Sequence, residues 1–211
     1  MSPKRLLMTA LVTVTILTAS ALAQKNELTG IIGRTFVSDK GVKGAVNLIS
    51  NDLHFGNGLS FEVNYGRHLL GDGFTRLTFE VPAVFNVDQD LNFAVNTIPE
   101  SYTSYFVTPA VRANVFATTA ISPWVSLGGG IGHFNTSSQL EFGGPNPNKG
   151  STTGIFQIGF GLDVRIKNRW SVRGELRDFW SGTPNLGVDT GNSRQHNLFV
   201  GGGVVWHFGK S

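Results

Sequence analysis

Residues 154–180 alternate in twos. Phe156, Ile158, Phe160, Leu162 and Val164 interleave with Gln157, Gly159, Gly161, Asp163 and Arg165. After the polar pair Lys167-Asn168, Trp170, Val172, Gly174 and Leu176 interleave with Ser171, Arg173, Glu175 and Arg177. A period of two sends alternate side chains to opposite faces of an extended strand. Each run spans about ten residues, longer than the usual five or six and long enough for a tilted strand to cross a bilayer. The polar set carries full charges as well as hydroxyls. A hairpin with one apolar and one charged face predicts a membrane β-hairpin, and the rest of the chain reads as further copies of it.

The copies come in order. Around residues 27–36 the facing is ambiguous, because Ile31 and Ile32 are adjacent. Over 59–68, Leu59, Phe61, Val63 and Tyr65 oppose Ser60, Glu62, Asn64 and His68. A Gly71-Asp72-Gly73 turn follows. Then Leu77, Phe79, Val81, Ala83 and Phe85 oppose Arg76, Thr78 and Glu80, with Pro82 on the wet face, where a bulge is expected. Tyr105, Val107, Pro109, Val111, Ala113 and Val115 oppose Thr108, Arg112 and Asn114; Val125, Leu127 and Ile131 oppose Ser126, Gly128, Gly130 and Gly132. The last strand sets Leu198, Val200, Gly202, Val204, Trp206 and Phe208 against Asn197, Phe199, Gly201, Gly203 and His207. Short turns alternate with long connections at 38–57, 87–104, 135–152 and 181–195. The predicted fold is all-β: an eight-stranded antiparallel up-and-down transmembrane β-barrel with short periplasmic turns and four longer extracellular loops. Lipid enforces closure, since an open sheet edge leaves backbone groups unpaired.

The first residues suit export. Lys4 and Arg5 precede an uncharged apolar run over residues 6–18, and Ala21-Leu22-Ala23 is a small-x-small cleavage site. Residues 1–23 therefore read as a cleaved signal peptide and 24–211 as one barrel domain. Cleavage leaves 15 basic residues against 14 acidic ones, which gives no footprint for a nucleic-acid partner. There is no cysteine, so neither a lipoprotein anchor nor a disulfide.

Aromatic residues cluster at strand ends. Trp124, Trp170, Trp206 and Phe208 lie beside the short turns or the C-terminus; Phe36, Tyr105, Phe134 and Trp180 lie beside the long loops. They are assigned to two membrane-interface girdles. Val204-Val205-Trp206-His207-Phe208 resembles the C-terminal signal by which outer-membrane barrels are recognised for assembly, although Gly209-Lys210-Ser211 follow here. With the eight-strand layout, the mature chain resembles the small OmpA-like and OmpX-like bacterial outer-membrane barrels. The resemblance implies the bacterial outer membrane as location, with outer-membrane lipid, lipopolysaccharide and the barrel-assembly machinery as partners.

The wet faces gather Glu62, Arg76, Glu80, Arg112, Asp163, Arg165, Arg173, Glu175 and Arg177. A barrel of eight strands is just wide enough for side chains to fill it, and charges there must pair. They are expected to form a lumen charge network. The glycine runs 128–130 and 201–203 sit inside strands with no helix after them, so they are not phosphate loops. Asp88-x-Asp90-x-Asn92 starts like a calcium loop, but Phe93 and Pro99 stand where glycine and glutamate are required. The five histidines show no metal-ligand spacing. No cofactor, metal or catalytic set is assigned. The expected role is structural or surface-binding, through the loops. A narrow channel is one alternative; a lipid-modifying enzyme with a Ser/His/acid set at the outer rim, near Ser193 and His196, is another.

Overall fold

The computed structural model describes residues 26–209, apart from 44–51, 57, 72–73, 95, 149 and 168. The signal-peptide assignment and part of the first long connection, residues 44–51, lie outside the described residues. The strands are β1 (Asn26–Val37), β2 (Lys40–Gly41), β3 (Asp52–Phe55), β4 (Leu59–Gly71), β5 (Thr75–Asn92), β6 (Ser101–Val107), β7 (Ala110–Val115), β8 (Ile121–Thr136), β9 (Ser151–Lys167), β10 (Trp170–Gly182) and β11 (Arg194–Phe208).

Eight of these positions close a barrel. β1 pairs antiparallel with β4 on one side and with β11 on the other, and each remaining strand pairs with its neighbours in the chain. β6 and β7 are two halves of one barrel strand. The register of β5 runs unbroken across them, from Ala83↔Val107 to Glu80↔Ala110. Pro109 interrupts the ladder because it has no N–H to donate. Across from Thr108, Pro82 lies in straight register with Asn64, and its carbonyl accepts from the Thr108 N–H at 3.2 Å. The bulge expected at Pro82 falls instead between Asn86 and Gln89.

Strand parity sorts the surface. Ile32, Leu59, Phe61, Val63, Leu127, Phe156, Phe160 and Val204 point outward and are exposed to the surroundings, while Glu62, Glu80, Arg173 and Arg177 point inward and are buried. An apolar outside around a charged inside is stable only where lipid is the outer solvent. The inward glycines let the wall close up. A Cβ on Gly130 would come within 2.0 Å of the Val107 carbonyl oxygen, and one on Gly203 within 1.9 Å of the Gly30 oxygen.

The loops are shorter than the alternation predicts. β5 continues to Asn92, and β6 begins at Ser101. Residues 88–92 are therefore strand, and the calcium-loop resemblance has no loop to occupy. β3 adds to β5 through His54↔Asn92 and Phe55↔Leu91, extending the sheet beyond the barrel wall.

Candidate functional site: the sealed lumen and its two ends

Three arginines organise the middle of the lumen. Arg173, on β10, forms a bidentate pair with Asp163 on β9, Nε–Oδ1 2.6 Å and Nη2–Oδ2 2.9 Å, and its Nη2 reaches Glu27 Oε1 at 3.2 Å. Arg112, on β7, donates to Glu27 Oε1 at 2.6 Å and Glu80 Oε2 at 3.2 Å. Arg177 clamps Glu175 through Nε (2.7 Å) and Nη2 (3.2 Å), donates to Glu80 Oε1 at 2.9 Å, and lies 3.2 Å from Glu62 Oε2. Alternation along β10 places Arg173, Glu175 and Arg177 on one face, and the closed wall brings the acids of β1, β4, β5 and β9 to them. The fork geometry of guanidinium suits several carboxylates at once.

The indole of Trp124 sits among these arginines. The guanidinium carbons of Arg112, Arg173 and Arg177 lie 5.6, 5.2 and 5.2 Å from its ring. Its Nε1–H donates to Asp163 Oδ1 at 3.2 Å. Trp124 is therefore a lumen residue, not an interface aromatic: it shares the parity of Ser126 on β8, which faces inward. Phe134 is corrected for the same reason. It is fully buried and packs against Tyr102 and Phe106, ring centroids 6.0 and 5.7 Å apart. The other assigned aromatics lie on the outside. Phe36, Tyr105, Trp170, Trp180 and Trp206 are exposed, Trp170 stacks on Trp206 across β10 and β11, and the half-buried Phe208 stacks on Trp206.

Two of the predicted lumen charges, Arg76 and Arg165, sit at the short-turn end of the lumen, lining a hollow with Glu27, Arg112 and Asp163 outside the buried arginine–carboxylate pairs. Arg165 is exposed at the mouth on the short-turn side, where its Nη2 donates to the Ala117 carbonyl at 3.1 Å. Arg76 is half-buried beside it, on the wall of a mouth hollow of about 340 Å³. Glu27 is the charge that sequence reasoning missed. Its facing follows once Glu27, Thr29 and Ile31 are read as one set and Leu28, Gly30 and Ile32 as the other. The buried set is then Glu27, Glu62, Glu80, Asp163 and Glu175 against Arg112, Arg173 and Arg177. Acids exceed arginines there, and Glu62 receives no hydrogen bond on either oxygen.

The half on the long-loop side is apolar. Leu53 and Phe55 of β3, Leu91 of β5, and Phe93, Ile98 and Leu186 of the connections pack on Tyr102, Phe106, Phe134, Phe179 and Phe199 of the wall as one cluster. The loops are also tied by hydrogen bonds. Glu100 N donates to Gln139 O at 3.1 Å, Glu141 N to Ile98 O at 3.1 Å, and Lys43 N to Asp189 O at 2.8 Å. The segment 143–148, which its Gly, Pro and Asn content marks as mobile, is held by Asn146 N to Ser138 O at 2.9 Å. Lys40 Nζ donates to Gln195 Oε1 at 3.0 Å, and burial pulls its ammonium down to about 8.

On the outer face at this end, His196 Nδ1 lies 2.6 Å from Asp178 Oδ2, with Trp180 stacked flat on the imidazole. Both residues line a surface hollow of about 270 Å³ together with Ser38. Ser38 lies one residue beyond the Val37↔Asn197 register pair. Ser193 is not on the wall of this hollow.

No protein-family model matches the chain. No curated protein matches it in sequence. Among solved structures, Neisserial surface protein A is similar over 87% of this chain and 97% of its own, with a TM-score of 0.56 at 11% identity. The outer membrane protein OprG from Pseudomonas aeruginosa covers 89% of this chain and 97% of its own, with a TM-score of 0.49 at 10% identity. Ail, the attachment invasion locus protein of Yersinia pestis, covers 88% and 99%, with a TM-score of 0.48 at 11% identity. The first of these likenesses shows the fold: a closed eight-stranded antiparallel β-barrel.

Proposed function

We propose that this protein is a bacterial outer-membrane barrel that conducts nothing and holds a packed cap of loops for contacts at the cell surface. One observation carries the reading: the lumen is filled twice, by the arginine–carboxylate network and by the apolar cluster above it. Loops on a rigid scaffold are where binding resides, and here the scaffold extends above the membrane through β3 and the long β5. Outer-membrane lipid and lipopolysaccharide would contact the apolar wall, and the barrel-assembly machinery would engage β11 through its outward Trp206 and Phe208.

The refolded protein is expected to give no discrete current steps in planar bilayers. Steps whose size changes in Arg173→Ala would replace this reading with the channel. Replacing residues 137–150 by a short Gly-Ser turn is expected to abolish binding to arrayed surface glycans or lipids while the barrel stays heat-modifiable on a gel.

A second reading has its own observation. A carboxylate on Nδ1 of an exposed imidazole is the arrangement that leaves Nε2 to act as a base, and Ser38 shares the hollow with His196 and Asp178. This supports an acyl hydrolase at the outer rim, with Ser38 in the role that sequence nearness to His196 suggests for Ser193. It predicts turnover of a nitrophenyl ester in micelles, lowered about a hundredfold or more by His196→Asn and by Ser38→Ala, and unchanged by Ser193→Ala. No turnover above buffer removes this reading and leaves the first intact.

A further inference from the structure

We infer that Glu27, His68 and His207 form a site for a divalent transition-metal ion, zinc by ligand type, at the periplasmic end of the lumen. The sequence separates them by strand: Glu27 on β1, His68 on β4 and His207 on β11. Because β1 lies between the other two, the register brings all three to one spot. Glu27 pairs across with His207 in the β1–β11 ladder, and with Gly66 in the β1–β4 ladder. Their donor atoms all lie within 4.8 Å of one another.

The division of labour among the atoms favours an ion. Glu27 Oε1 receives both arginines, Arg112 at 2.6 Å and Arg173 at 3.2 Å. Oε2 faces the histidines, 3.9 Å from His68 Nε2 and 3.9 Å from His207 Nδ1. These separations are too long for hydrogen bonds. A zinc ion held at about 2.1 Å by each ligand sets donors about 3.4 Å apart in a tetrahedron, so each imidazole closes on Glu27 Oε2 by about half an ångström, and the two imidazole nitrogens, within 4.8 Å of each other, close by at most about 1.4 Å.

The imidazoles are already oriented. Thr78 Oγ1 holds His68 Nδ1 at 2.9 Å, and Ser171 Oγ holds His207 Nε2 at 3.1 Å. In each ring the second nitrogen is thereby aimed at Glu27, as outer-shell partners orient metal-binding histidines. His68 Nε2 is buried and has no hydrogen-bond partner. The rings lie nearly parallel, 20° apart, at a centroid distance of 6.5 Å. That leaves room between their edges.

The fourth coordination position opens into the mouth hollow, whose walls include Arg76, Arg165 and Arg169, so water or a small anion completes the shell. Two imidazoles and a carboxylate with one open position is a zinc ligand set.

The test uses the full refolded chain in detergent micelles, titrated with cobalt(II). The expected result is one cobalt per barrel with the intense visible bands of a four-coordinate N/O site, displaced by equimolar zinc. His68→Gln and His207→Gln are each expected to weaken binding at least tenfold, and Thr78→Val by less, while the loop variant His54→Gln leaves it unchanged. Zinc is also expected to protect His68 and His207 of the wild type from diethyl pyrocarbonate, read by mass spectrometry. That measurement stands even where a variant does not fold. Weak six-coordinate bands, equal binding by the double histidine variant, or no protection of either histidine overturns the site and shows these groups to be lumen filling only.

Discussion

Arg177→Ala is expected to lower barrel stability by about 3–5 kcal/mol, the cost of stripping one partner from a buried ion cluster. Its guanidinium, fully buried, is the shared counter-ion of Glu175, Glu80 and Glu62. Without it, three carboxylates sit together, and only Glu80 keeps an arginine, Arg112 at 3.2 Å. Glu62→Gln is expected to move the other way, from no change to a modest gain. Its carboxylate adds to the acid surplus, accepts no hydrogen bond, and becomes neutral in the variant. Glu175→Ala falls between, because Arg177 retains Glu80 and Glu62. Urea midpoints in lipid vesicles, followed by gel heat-modifiability, rank the three. An Arg177→Ala midpoint equal to wild type would show that the lumen is wet enough to solvate these acids.

What the sequence exposes, and what it hides, follows from the period of two. Where a long strand carries a charge on every second residue, as Arg173, Glu175 and Arg177 do, facing is legible without coordinates. The eight-strand closure follows from the same alternation, because lipid forbids an open edge. Adjacency defeats the method. Ile31-Ile32 leaves β1 without an obvious wet face, and Glu27, the acid that joins two of the three buried arginines, stays hidden. Position at a strand end misleads in a different way. Trp124 and Phe134 lie near strand termini, as girdle residues do, but parity turns them inward. The convergence of Glu27, His68 and His207 has no sequence spacing at all, since it depends on the lateral register of three strands. The same is true of Asp178 and His196, which meet diagonally across β10 and β11. The loops look long because β5 and β8 run past the membrane with polar residues on both sides of the pattern.

Trp124→Ala is expected to cost about 3–5 kcal/mol, as deletion of a buried tryptophan does, where loss of an interface aromatic would cost far less. The indole lies within cation–π distance of three guanidiniums. It packs over Gly161, where a Cβ would come within 2.3 Å of the ring. It also supplies Asp163 with a donor, so truncation leaves a gap and a weaker acceptor pair in the same place. Trp124→Phe keeps the ring face for the cations and loses the N–H, and is expected to cost about 1–2 kcal/mol. Gly161→Ala should approach the Trp124→Ala value from the neighbouring strand, where Gly161 pairs directly with Trp124, by pushing the indole off its seat. Fluorescence separates lumen from lipid directly. Brominated acyl chains should quench Trp170, Trp180 and Trp206, which face outward, and spare Trp124. The unquenched fraction should then vanish in Trp124→Ala. Full quenching of the wild type would put this indole in the bilayer and dismantle the arginine cage around it.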